Sequence, residues 1–190
     1  MDITVIAFLA LLLAVALLRI FELRVSTRHQ KQMIAHGATK VSEPRFRWIV
    51  LLHIAVLAGA ALEVVLLRRP FIPILATVMF LLFLASNAVR LWVVRTMGKH
   101  WNVQIMNSTG LGVVTSGPFR FVRHPNYAAV FVEIFSLPLI HTAWITALLG
   151  CVGFVVTISQ RLAVEESVLF ANPEYRAAMA GKPRFLPGLF

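Results

Sequence analysis

Residues 127–158 read YAAVFVEIFSLPLIHTAWITALLGCVGFVVTI, a run of 32 mainly apolar residues. One straight membrane-spanning helix needs only about 20. Pro138 and the polar pair His141-Thr142 fall near the middle of the run. Proline removes a backbone donor and breaks helices, so the pattern predicts a helical hairpin of two short crossings.

Working outward, three further apolar blocks run from Ile3 to about Phe21, from Trp48 to Leu67 and from Phe71 to about Val94. The chain thus reads as an all-α integral membrane protein with about five transmembrane helices. A composition of 59% hydrophobic residues and a mean hydropathy of +0.82 exclude an ordinary soluble domain. The first block is no cleavable signal: Asp2 stands where a basic residue is expected, and Arg19 and Glu22 occupy the cleavage region. The single cysteine, Cys151, rules out a disulfide framework. His29, His36, His100 and His141 lack metal-ligand spacing, so no metal site is expected.

The net charge of +10 does not point to nucleic acid, because the basic residues lie between apolar blocks instead of along one stripe. Segments 22–47, 95–126 and 159–190 carry 6, 4 and 4 Lys/Arg. An excess of Lys and Arg marks the cytoplasmic side, which orients the N-terminus outside and puts all three segments in the cytoplasm. The first is a basic cytosolic loop of a region 1–96 holding three helices. The second and third belong to a region 97–190 with a C-terminal cofactor-binding part, and the two regions form one structural domain.

On that face the polar island RFVRHPNY, residues 120–127, meets a charged helix containing Arg161, Glu165 and Glu166. Taken singly, each feature has a plain reading: Gly110-Leu-Gly112 as a flexible loop, Arg161 with Glu165 as a surface pair, Glu165-Glu166 as a solvated face. Together they form a site able to hold a cationic, amino-acid-bearing cofactor beside a lipid-phase entrance. Ionisable groups within spans are costly and usually face a cavity. His53, Glu63 and Glu133 therefore read either as internal pairs or as substrate-cavity residues. Arg19 and Arg90, near helix ends, read as residues that snorkel to headgroups. The patch Ala58-Gly59-Ala60-Ala61 permits a close helix contact.

Four pieces, GKHWNVQI (98–105), LGVVTSGPFRFVRHPNYA (111–128), RLAVEE (161–166) and EYRAAMAGKPRFLP (174–187), resemble the isoprenylcysteine carboxyl methyltransferase family in order and spacing. RIFELRVSTRHQKQMIAHGA and LLHIAVLAGAALEVV resemble bacterial members that methylate long-chain alkylpyrones and alkylresorcinols. The resemblance implies methyl transfer from S-adenosyl-L-methionine to a lipophilic small molecule entering from the bilayer, with membrane lipids as the surroundings. Carried over residue by residue, cofactor contacts fall on Gln104, Leu111, Gly112, Val113, Val114, Phe119, His124, Pro125, Asn126, Tyr127, Glu165 and Glu166. The substrate-side, catalytic arginine falls on Arg161. Phe119 stands where the family usually has tyrosine, and Leu111-Gly112 where eukaryotic members have a more polar pair. The acceptor expected is the hydroxyl of a polyketide pyrone or phenol, ahead of a prenylcysteine carboxylate. A non-enzymatic membrane scaffold is the reading from another class.

Overall fold

A computed structural model describes residues 2–43, 46–108 and 111–186. Gly110, and the Pro187 that closes the stretch 174–187, lie outside the described residues. The elements in order are helix α1 (Ile3–Ala35), strand β1 (Thr39–Lys40), helices α2 (Phe46–Leu66) and α3 (Pro73–Met97), strand β2 (Met106–Asn107), and helices α4 (Pro125–Leu139), α5 (Trp144–Leu169) and α6 (Pro173–Met179). The protein is a multi-pass, all-α membrane protein: α1, α2, α3 and α5 are long and apolar enough to cross a bilayer.

The hairpin forms where proline and the polar pair forecast it. Helix α4 ends at Leu139, just after Pro138, and Thr142 takes a positive φ of 53° in the turn before α5. The arms are unequal, however. At 15 residues α4 is shorter than a full crossing, whereas α5 runs 26 residues and absorbs the charged RLAVEESVL segment.

Helix α1 also departs from expectation. It continues through Ala35, so the first half of the expected loop 22–47 is helical. Charge alone does not end a helix. The stop comes at Gly37, whose φ of +91° lets the Ala38 and Gly37 amides fold back onto the Met33 and Ile34 carbonyls.

Packing follows small residues. A Cβ on Gly59 would lie 3.2 Å from Thr146, on Gly150 2.9 Å from Val56, and on Gly153 2.8 Å from Leu52. Helices α2 and α5 therefore run antiparallel in close contact, which identifies the partner of the small-residue patch. At the N-terminal end of α1, Phe8, Leu12, Val15, Ala60, Val64, Leu137 and Ala147 form the main core. A second core of Val56, Val130, Ile134, Phe154 and Ile158 lies farther along α2, α4 and α5. At the opposite end β1 pairs with β2, Thr39 opposite Asn107, tying the end of α1 to the loop after α3. Ser26 accepts the Val103 amide at 3.0 Å and His29 meets the Trp101 carbonyl at 2.7 Å, so the extension of α1 grips that loop as well.

Candidate active site

Among its described residues the segment 98–124 holds no α-helix, only short 3-10 turns at Gly98–His100 and Gly117–Arg120. Gly117 takes a φ of +57° with Thr96 Oγ1 only 2.4 Å from where a Cβ would stand. Pro125 then starts α4 at the first helical position, where its missing amide costs nothing. The tail backs this turn: Arg123 and His124 amides donate to the Pro183 and Arg184 carbonyls at 2.9 Å, and Lys182 Nζ donates to the Phe119 carbonyl at 2.7 Å.

Around these elements lies a cavity of about 500 Å³. From the loop, Gln104, Gly112, Val113, Val114 and Phe119 line it. The turn contributes His124, Pro125, Asn126 and Tyr127, and α5 contributes Arg161 and Glu165. Deeper between the helices, Val130, Phe154 and Ile158 make one wall apolar.

The polar groups form a connected chain. Arg161 donates through Nε to the Tyr127 hydroxyl at 2.7 Å and through Nη2 to the Val103 carbonyl at 2.7 Å. Its Nη1 lies 3.3 Å from Glu43 Oε1, and Glu43 Oε2 accepts the Ile105 amide at 2.7 Å. The Tyr127 hydroxyl in turn donates to Glu165 Oε2. Arg161 is thus held on three sides, with N–H groups left over. Tyr175 of α6 also lines the cavity, and burial, with the Glu165 carboxylate beside it, pushes its phenol up to about 12.

Four expected site residues sit elsewhere. Leu111 packs on Met33, Ala38 and Met106 beneath the β ribbon, while its neighbour Gly112 faces the cavity. Glu166 turns away to Arg184 at 2.7 Å, His124 at 3.2 Å and Arg123 at 3.4 Å, so it braces the His-Pro turn. Glu63 lies at the far end of α5, where it accepts the Ile145 and Thr146 amides at 3.1 and 2.7 Å and caps that helix. Glu133 sits behind the cavity, holding Arg19 Nη2 at 2.8 Å.

Of the buried candidates only His53 lines the main cavity. Leu52 stands level with Gly153, so His53 is about eight residues, or 12 Å, from the level of Arg161 along the helix axis. Arg19 and Arg90 do not snorkel: with Glu22 they line the cavity and are paired inside the protein.

Residues that sequence reading missed include Glu43 and Glu22. Glu43 sits in no motif, and its partner Arg161 is remote in the chain. Glu22 stands three residues after Arg19 at the end of an apolar block, and that pair at membrane depth was the available signal.

A family profile described as isoprenylcysteine carboxyl methyltransferase (ICMT) family matches residues 76–171, which span α3, the loop, the hairpin and the start of the turn into α6. An uncharacterized protein of Bacillus subtilis, YpbQ, is 29% identical over 164 residues, covering 84% of this chain and 95% of that protein. An uncharacterized protein of Haemophilus influenzae is 28% identical over 153 residues, covering 80% of this chain and 88% of its own.

Proposed function

The chain belongs to the isoprenylcysteine carboxyl methyltransferase family, and from that premise we propose that it transfers a methyl group from S-adenosyl-L-methionine to an oxygen of a lipophilic acceptor, the hydroxyl of a long-chain polyketide pyrone or phenol. One observation carries this reading: a single cavity has charged walls at the loop end and the apolar wall of Val130, Phe154 and Ile158 between the helices. The first suits a polar cofactor and the second an alkyl chain.

The residues at the loop end fit the cofactor. Asn126 Oδ1 and Arg123 Nε are buried without a protein partner among the described residues, and both residues line the cavity. An acceptor and a donor left unpaired in that way cost stability unless a ligand completes them. Glu165 offers the oxygen not engaged by Tyr127 to an ammonium group. When bound, the cofactor supplies an electrophilic methyl group on a sulfonium. Arg161 holds the acceptor oxyanion, with its orientation fixed by Tyr127, Val103 and Glu43.

A 4-hydroxypyrone is a vinylogous acid that ionises readily and needs no general base, whereas a phenol with a pKa near 10 needs one. Of His53, Glu63 and Glu133, the in-span groups able to act as that base, His53 alone lines the cavity, and it stands well away from the level of Arg161. That separation ranks the pyrone ahead of the phenol. The Lys/Arg-rich segments support an orientation with the N-terminus outside and the site at the cytoplasmic face.

Purified enzyme with labelled cofactor, offered alkylpyrone, alkylresorcinol and prenylcysteine, tests the acceptor. Methyl transfer to the pyrone or the resorcinol is expected, and preference for prenylcysteine would overturn that assignment. A protein unshifted in thermal unfolding by S-adenosylhomocysteine would instead be a scaffold.

A further inference from the structure

Midway along the cavity, three helices bring four charges together. Arg19 and Glu22 come from α1, Arg90 from α3 and Glu133 from α4. Arg19 Nη2 lies 2.8 Å from both Glu133 oxygens, Arg90 Nη2 lies 2.6 Å from Glu22 Oε2, and Arg19 also pairs with Glu22. Their side chains are exposed by 17% or less. Two cations and two anions make the assembly neutral. Glu133 forms its back, while Arg19, Glu22 and Arg90 front on the cavity with His53 of α2 beside them.

Ion pairs at membrane depth are costly, and their hydrogen-bonding capacity is normally used in full. Here it is not. Among the described residues Glu22 Oε1, Arg90 Nη1 and His53 Nε2 make no hydrogen bond. His53 Nδ1 lies 2.8 Å from the Ile49 carbonyl, which can only accept. In the neutral ring the proton is therefore on Nδ1, and Nε2 offers a lone pair. The wall's residues therefore hold two unengaged acceptors, Glu22 Oε1 and His53 Nε2, and unengaged guanidinium N–H groups, those on Arg19 Nε and Arg90 Nε among them.

Its depth follows from helix geometry. Ser26 bonds Val103, whose carbonyl bonds Arg161, so Ser26 marks the level of Arg161 on α1. Glu22 is four residues deeper, about 6 Å, and His53 about 12 Å deeper on α2. The facing wall, Val130, Phe154 and Ile158, is apolar.

We infer that the Glu22–His53–Arg90 wall is a second recognition site for the acceptor, taking a neutral oxygen function about one helical turn deeper than the oxygen that is methylated. The inference rests on the reading that the acceptor occupies this cavity. A charged group is unsuited to the wall, because the quartet is already balanced and an added charge would go uncompensated. A ring carrying two oxygens about one helical turn apart reaches from Arg161 to the Glu22 end of the wall, with its alkyl chain against the apolar wall.

Equilibrium binding tests this without turnover. Full-length protein in detergent, with S-adenosylhomocysteine present, is titrated with an alkylphenol and an alkylresorcinol of identical chain, which differ by one oxygen. The resorcinol should bind at least about tenfold more tightly, as one well-made polar contact in a dry site allows. In Glu22→Leu and, independently, His53→Leu, that ratio should collapse towards one, with retained S-adenosylhomocysteine binding reporting an intact fold. Equal affinity of the two ligands for the unmodified protein would overturn the second site, as would variants that weaken both ligands alike. A protein that keeps the resorcinol preference yet methylates neither pyrone nor resorcinol would retain the second site and lose the proposed reaction.

Discussion

Each end of helix α5 meets a carboxylate, Glu63 of α2 buried at one end and Glu165 of α5 itself half-buried toward the other, and their partners differ in kind. At the N-terminal end Glu63 takes two backbone amides, the Thr146 hydroxyl at 2.7 Å and Arg69 at 2.8 Å, which uses its lone pairs almost completely. Toward the other end Glu165 takes the Tyr127 hydroxyl and leaves an oxygen on the cavity wall. A saturated buried carboxylate is a piece of scaffold. One left with spare capacity beside a cavity is available to a ligand.

The contrast is broken most directly at Arg161. Arg161→Ala removes the group proposed to hold the acceptor oxyanion and should lower kcat/KM by about 10²- to 10³-fold. Affinity for S-adenosylhomocysteine, read by titration, should stay within about threefold. Unimpaired turnover at unchanged cofactor affinity would remove the arginine from the mechanism.

Glu63→Ala addresses the other end. It strands the Ile145 and Thr146 amides and Arg69 in a buried setting, with an expected loss of about 3 kcal/mol in detergent unfolding. Turnover per folded molecule should change less than about twofold. A stable variant that has lost activity would show that the two ends are coupled and that the distinction fails.

What the sequence reveals follows the range of the interactions involved. The hairpin was legible because Pro138 and His141-Thr142 act locally on the backbone. The loop, turn and α5 residues singled out by the family resemblance line one cavity, apart from Leu111 and Glu166, because that cavity is assembled mostly from one half of the chain. The extent of α1 was hidden because its polar residues sit on an unbroken helix and only Gly37 ends it. Arg19 and Arg90 were misread because a long side chain near a helix end reaches headgroups or an internal carboxylate equally well. Glu63 carried no mark that its partners would be the amides of a helix some 80 residues away.

Glu43 is the sharpest instance, since it lies outside the segment that matches the family profile yet contacts the central arginine. Glu43→Gln can still accept the Ile105 amide but no longer offers Arg161 a charge. It should lower kcat/KM about tenfold through misplacement of the guanidinium. The double variant Glu43→Gln/Arg161→Ala should lose no more than Arg161→Ala alone, because both changes act through one group. Additive losses would make Glu43 a stabiliser of the β ribbon and nothing more.

The smallest expected effect concerns Tyr175, whose phenol is held protonated up to about 12 against an ordinary value of 10. A group whose pKa is raised on folding contributes stability that is complete below the unfolded value and is lost as pH rises through the folded one. Unfolding stability should therefore decline between pH 10 and about 12. In Tyr175→Phe that decline should flatten, because the variant has no phenol to ionise in the unfolded chain. Indistinguishable slopes would mean that water reaches the Tyr175 hydroxyl in the folded protein, and the loop end of the cavity would then be wetter than its lining implies.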